Sequence, residues 1–171
     1  MTVTPTLPPI SAQEFRAALG AFATGVTVVT TSGEQHAYGM TANAFSSLSL
    51  DPPLVLVCVK WPSEGAEHIE RNGVFAVNIL SADQEPVSRY FASRDRPRGR
   101  DAFREVPSRV LASGSPIIDD VVAFMDCALH AVHEVGDHKI LIGRVLALES
   151  REGAPLLFHG GGYRQVVAEP Q

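Results

Sequence analysis

The stretch that decides the fold is Gly39-Met40-Thr41-Ala42-Asn43-Ala44-Phe45-Ser46-Ser47-Leu48-Ser49-Leu50-Asp51-Pro52-Pro53-Leu54-Val55-Leu56-Val57-Cys58-Val59. A small, polar segment runs through Asp51-Pro52-Pro53 into an unbroken apolar run. The apolar run is short, rich in β-branched residues and bounded by proline, so it reads as a buried strand. In the polar part, Thr41, Ala42, Asn43, Ser46 and Ser47 carry hydroxyls and an amide on little bulk. Backbone can approach a flat ligand closely there, with N–H groups left to donate. A polar cradle on a rigid strand holds a ring with few charges.

Short strands are predicted on both sides of this segment. Upstream, Ser11-Ala12-Gln13-Glu14 is a capping box, and Phe15, Ala18, Leu19 and Phe22 follow at helical spacing. Gly25 is the expected stop of that helix. Strands are expected at 26–31, 37–41, 45–50, 54–59 and 74–80, with a Ser63-capped helix ending at Asn72-Gly73 and another helix over 84–92. From Val121 the pattern is a long hairpin that turns at Gly136-Asp137-His138, followed by a last strand over 156–159. Many short strands and few helices indicate a mainly β, closed antiparallel barrel. The expected organisation is a flexible tail over 1–10 and one domain over 11–171, without internal repeats.

The bulk numbers exclude several classes. With 171 residues, 45% apolar and 19% charged, the chain suits one globular domain. A net charge of −5 argues against nucleic acid as a partner. No apolar run is long enough for a membrane-spanning helix, and the N-terminus lacks the basic-then-apolar order of a signal peptide. Cys58 and Cys127 sit in apolar, strand-like contexts and read as buried reduced thiols, which favours the cytoplasm.

Familiar catalytic motifs are missing from the sequence. There is no Gly-x-Ser-x-Gly elbow, no Gly-x-Gly-x-x-Gly after a strand and no phosphate loop. His130 and His133 fall on opposite faces of a strand unless a bulge intervenes, so no metal site is expected. What remains lacks an acid, base or nucleophile, which suits hydride transfer between two cofactors that carry the chemistry themselves. Arg94, Arg96, Arg98 and Arg100 crowd a loop with Asp95, Pro97, Gly99 and Asp101. That loop reads either as a solvated connection or as a lid that meets phosphates.

Five motifs, in order, resemble the short-chain flavin reductases of two-component monooxygenases, within the FMN-binding split-barrel superfamily. They are Phe22-Ala23-Thr24-Gly25-Val26-Thr27-Val28-Val29-Thr30, the segment from Gly39 to Val59, Phe75-Ala76-Val77-Asn78-Ile79-Leu80, Gly136-Asp137-His138, and Pro155-Leu156-Leu157-Phe158-His159-Gly160-Gly161-Gly162-Tyr163. The resemblance covers residues 15 to 163. It implies an FMN-binding split β-barrel, antiparallel and of Greek-key type, with a few short flanking helices.

The implied activity is NAD(P)H:flavin oxidoreductase. A hydride passes from NADH or NADPH to FMN or FAD, and the reduced flavin diffuses to a flavin-dependent monooxygenase. Thr41, Ala42 and Asn43 would border the flavin ring, with Ser46 and Ser47 at its polar edge or ribityl chain. Lys60 and Ser63 would meet the flavin phosphate. Asp137, His138 and Tyr163 would line the nicotinamide pocket. The family also implies a homodimer with its sites near the subunit boundary. A non-catalytic flavin or heme store on the same barrel is the alternative, as is an oxidase or deazaflavin-dependent reductase. The Gly136-Asp137-His138 turn favours turnover, because a store needs no nicotinamide pocket.

Overall fold

The computed structural model describes residues 8–33 and 37–166, so most of the expected N-terminal tail lies outside the described residues. Helix α1, Ala12–Gly20, starts at the capping box: Ser11 accepts from the Glu14 amide, and the Glu14 carboxylate accepts from Ser11. These hydrogen bonds hold the Glu14 carboxyl below its ordinary pKa. The helix ends at Gly20 and not at Gly25. The backbone turns at Ala21, and Thr24–Gly25 becomes a short strand, β1.

The strands that follow are β2 (Thr27–Ser32), β3 (Ala37–Ala42), β4 (Phe45–Leu50), β5 (Pro53–Lys60) and β6 (Val74–Ile79), with helix α2 (Glu64–Asn72) between the last two. Helix α3 (Glu85–Ala92) follows a single 3-10 turn, and a small hairpin pairs β7 (Ser108–Val110) with β8 (Pro116–Ile118). The long hairpin is β9 (Ala123–Val135) and β10 (His138–Ser150). Two short strands, β11 (Leu157–His159) and β12 (Gly162–Arg164), close the chain against β1. The sequence did not announce β1, β7, β8 or β12. Each is two or three residues long and exists only because a distant strand supplies its hydrogen bonds.

Seven strands form one antiparallel sheet in the order β3-β2-β6-β9-β10-β5-β4. Its two edge strands, β3 and β4, are consecutive in the chain and joined only by Asn43-Ala44. In a flat sheet those edges would stand roughly 29 Å apart at about 4.8 Å per strand. The link reaches about 10 Å. The sheet therefore curls until its edges meet, and the result is a barrel split along the β3/β4 seam. The amide of Cys58 donates to Ala44 O at 2.9 Å and ties the link to β5.

Alternation sorts the apolar side chains onto two sides of this curled sheet. Val29, Val55, Val57, Phe75, Val77, Cys127 and Leu141 form the barrel interior, and Ala66 and Ile69 of α2 plug one end. Val28, Ala76, Leu80, Phe91, Ile117 and Phe124 form a second cluster under α3 and the β7–β8 hairpin. Strands β2 and β6 are thus covered on both faces, which explains the nearly continuous apolar sequence of β6. The buried threonines of β2 are accommodated because the hydroxyls of Thr27, Thr30 and Thr31 donate to the carbonyls of Ala42, Pro116 and Val74. Asn78, fully buried within the Phe75–Leu80 motif, donates to Val28 O (3.0 Å) and Thr30 Oγ1 (3.2 Å) and accepts from the Ile118 amide at 2.8 Å. That asparagine stitches β6 to β2 and β8, and its polar atoms are fully used.

Cys58 and Cys127 are both free thiols. Burial, reinforced by the adjacent Asp126, pushes the Cys127 thiol up to about 12, so it stays protonated and unreactive. Among the described residues no helix is long and apolar enough to cross a membrane.

Gly143 shows how tightly the interior is filled. A Cβ there would lie 2.4 Å from Cζ of Phe75 and 3.0 Å from Cβ of Cys127. Phe75 is fully buried and has nowhere to retreat. Gly143→Ala should therefore lower unfolding free energy by about 1–3 kcal/mol, measured by chemical denaturation. An unchanged midpoint would show that the barrel wall is softer than this packing implies.

Candidate flavin and nicotinamide site

Strand β3 carries two concavities. At its C-terminal end, on the barrel seam, Val26, Thr41, Ala42, Asn43, Ala92, Phe158 and Tyr163 line a hollow of about 230 Å³. No carboxylate, lysine or arginine is among them. The Thr41 hydroxyl donates to Ser88 O at 2.6 Å, and Asn43 Nδ2 donates to Thr24 Oγ1 at 3.3 Å. Tyr163 is fixed on three sides. Its hydroxyl lies 2.8 Å from the Ser88 hydroxyl, its ring meets Phe158 edge-on, and the Arg89 guanidinium covers it at 4.7 Å. Three of the cradle residues expected from sequence, with Tyr163, thus meet in one place.

Ser46 and Ser47 lie apart from that hollow, exposed on edge strand β4, where the Ser46 hydroxyl donates to Ser47 O. The register of β4 against β5 slips between Ser47 and Ser49. They stand across the seam from the hollow and line neither cavity.

At the other end of β3 lies a larger cleft of about 550 Å³, lined by Tyr38, Gly39, Lys60, Ser63, Glu64, His68, Arg94, Arg96 and Arg98 among others. Ser63 caps α2 by accepting from the Ala66 amide. The sequence left the arginine loop between solvent and phosphate. In the structure three of its four arginines face the cleft that holds Lys60 and Ser63. Arg96 is the anchor: it donates to Gly39 O at 2.5 Å and to Ser93 O, and lies over the rings of Tyr38 and Phe91. Arg98 pairs with Glu64, while Arg94 is exposed. Four cations against one carboxylate make the cleft strongly electropositive.

Asp137 and His138 form the tip of the β9–β10 hairpin, where Gly136 has φ of 61°. His138 Nδ1 lies 2.7 Å from Asp137 Oδ1, and that bond, helped by Lys60, holds the Asp137 carboxyl below its ordinary pKa. His138 pairs with Lys60 in register, so the tip lies beside the basic cleft and away from the Tyr163 hollow. The three residues expected around a nicotinamide are therefore divided between two places on this chain. On β9, a bulge leaves His130 out of the ladder, because Leu129 faces Gly143 while Ala131 faces Ile142. Even so, among the described residues no group of three or more His, Cys, Asp or Glu side chains converges on a metal-sized site.

Sequence reasoning missed Tyr38, His68, Arg89, Ala92 and Phe158. Phe158 lies inside the Pro155–Tyr163 motif without a role assigned to it there, and the other four belong to no motif. Ala92 and Arg94 reach the two cavities because α3 and the segment after it run alongside β3 in the opposite direction, with Ser88 at Thr41 and Phe91 at Gly39, which only the folded chain shows.

Comparison with known proteins gives the family and the fold. The family model described as "Flavin reductase like domain" matches residues 19–167. The chain is 42% identical, over 155 residues, to the "Flavin-dependent monooxygenase, reductase subunit HsaB" of Rhodococcus jostii, covering 90% of this chain and 77% of that protein. It is 43% identical to an "NADH-dependent FAD reductase" of Streptomyces globisporus, covering 91% of this chain and 86% of that one. The solved structure of Streptomyces globisporus NADH:FAD oxidoreductase SgcE6 with NAD and FAD fragments superposes with a TM-score of 0.87 at 36% identity, covering 98% of this chain and 100% of that one. A split barrel with a neutral hollow and a basic cleft on one strand, matched along nearly its whole length, belongs to the flavin reductase-like domain family.

Proposed function

We propose that the protein is an NAD(P)H:flavin oxidoreductase that reduces FMN or FAD and supplies the reduced flavin to a partner monooxygenase. The observation that carries this reading is the pairing of two cavities along one strand. Gly39 borders the basic cleft and Thr41 borders the neutral hollow. Two residue steps of extended chain, with Met40 between, separate them by about 7 Å. A flavin needs the same layout: a flat ring in a neutral hollow, a short polyol, then an anionic phosphate. Ala92 and Arg94 repeat that spacing on the opposite wall.

When bound, the flavin ring accepts a hydride from reduced nicotinamide, so the protein has to supply position and not a proton relay. Thr41, Ala42 and Asn43 hold the ring edge, largely through main chain. Ser46 and Ser47 serve its polar end or ribityl chain across the seam. Lys60 and Ser63 hold the phosphate, with Arg94 and Arg98 at the rim of the same cleft. Tyr163 closes the hollow, and His138 with Asp137 receives the nicotinamide.

Because His138 and Tyr163 are divided on one chain, the reading includes a homodimer in which two copies complete each site. Surface apolarity supports it. Helix α1 has no buried residue, and Phe15, Leu19 and Phe22 are 57%, 57% and 76% exposed. Leu50 is 94% exposed and Leu148 65%. A self-complementary face of this kind closes a two-fold dimer. Reduced thiols fit a cytoplasmic setting, with residues 11–171 acting as a single domain.

Steady-state oxidation of NADH and NADPH, each with FMN, FAD or no flavin, tests the function. Turnover should require added flavin. Absence of turnover with either flavin sinks the proposal, and flavin retained stoichiometrically through dialysis sinks the release step.

Two substitutions test the site. Ala92→Trp should fill the hollow and abolish flavin binding while thermal unfolding stays cooperative, because Ala92 is exposed at the end of α3. His138→Ala should raise the KM for NAD(P)H about 10-fold with little effect on that for flavin, equivalent to about 1.4 kcal/mol. Light scattering should give twice the 18.3 kDa chain mass. An active monomer would confine the site to one chain.

A further inference from the structure

Lys139 is 4% exposed, although it follows the exposed His138 directly in β10. Its ammonium lies 2.7 Å from Glu70 Oε1 of α2 and 3.2 Å from Glu134 Oε1 of β9. It also stands 3.5 Å from the centre of the Trp61 ring, close enough for a strong cation–π contact. Lysines are rarely this buried unless paired, and this one has two carboxylates and a ring. The bonds to Glu70 and Glu134 outweigh burial and raise its pKa above the ordinary lysine range, so it remains an ammonium at any working pH.

The parts gathered by this ammonium are the ones that frame the proposed site. Trp61 lies between Lys60 and the Ser63 cap of α2, and its own amide donates to Asp137 O at 2.9 Å. Main chain therefore ties the 61–63 segment to the hairpin tip, while the ring of the same residue is clamped from below by Lys139. Glu134 faces Lys139 across the β9–β10 ladder, and Glu70 fixes the whole group to α2. One charge joins β9, β10, α2 and the segment carrying Lys60 and Ser63.

We propose that Lys139 is a positioning residue: the Glu70–Lys139–Glu134 cage under Trp61 sets the hairpin tip, and with it His138, against the mouth of the basic cleft. The inference rests on the reading of His138 as a nicotinamide contact, but the position of the tip can be measured without it. Glu70 and Glu134 keep side-chain exposures of 35% and 68%, so removing the lysine leaves both carboxylates partly solvated and the fold intact.

The test uses Lys139→Met and Lys139→Arg with His138→Ala in the full-length protein. Imidazole resonances of His138, assigned by their loss in His138→Ala, should shift in Lys139→Met and return towards wild type in Lys139→Arg. Unshifted His138 signals in Lys139→Met overturn the inference, whatever the kinetics show. The KM for NAD(P)H in Lys139→Met should rise about 3- to 20-fold, with that for flavin unchanged. Adding Lys139→Met to His138→Ala should produce no further rise, because both act through one contact. Multiplying effects in the double variant also overturn the inference. An unaltered KM in His138→Ala, with the resonance shift present, instead removes the nicotinamide reading and leaves the positional one standing.

Discussion

Asn43 and Ala44 are all the chain provides to pass from one edge of a seven-stranded sheet to the other. That short link forbids an open sheet and forces the curl, and the curl creates an inside. Everything else follows from it. The interior must be filled by side chains from alternate positions of β2, β5, β6, β9 and β10, with α2 as a plug. The same closure leaves a seam where two strands approach without sharing hydrogen bonds. At that seam each edge strand is paired on one side only, β3 with β2 and β4 with β5.

In the proposed reading, a neutral hollow and a cationic cleft on one strand divide the labour of binding. Dispersion and main-chain hydrogen bonds suit a flat ring of little net charge, whereas phosphate needs cations and a helix N-terminus. Arg96 contributes structure to this arrangement. By bonding Gly39 O and lying over Tyr38 and Phe91, it presses the arginine loop onto β3 and brings Arg94 and Arg98 to the cleft. Glycine at position 39 is required by the packing of α3 on β3, since a Cβ there would stand 2.6 Å from the Phe91 ring.

Charge inside the fold is spent sparingly. Lys139 is buried among two carboxylates and an indole, and Asp126, fully buried, accepts from the amide and hydroxyl of Ser113. Each is fully partnered, as buried charges must be to avoid a large desolvation cost. Cys127 next to Asp126 is kept as an unreactive thiol by burial and by that neighbouring charge. Among the described residues, the hollow lined by Thr41 and Tyr163 has no such charged group in its wall.

The sequence by itself determined the longer strands, because period-two alternation and Pro and Gly boundaries are local properties, whereas β1, β7, β8 and β12 depend on distant partners. It determined the Ser11 cap for the same reason, and it singled out Thr41, Ala42 and Asn43, which line the neutral hollow, by their small size and polarity. The motifs from Phe22 to Tyr163 determined the family. Tertiary structure decided what depends on distance. The end of α1 moved from Gly25 to Gly20 because Leu157 and Phe158 capture Thr24 and Gly25 as a strand. Ser46 and Ser47 stand across the seam from the hollow, and His138 and Tyr163 are separated, because register and curl set where neighbours in sequence end up. The arginine loop gained a cleft only when α3 ran alongside β3. Lys139 read as an ordinary strand residue beside a turn; its cage joins residues 61, 70, 134 and 139, which no local pattern connects.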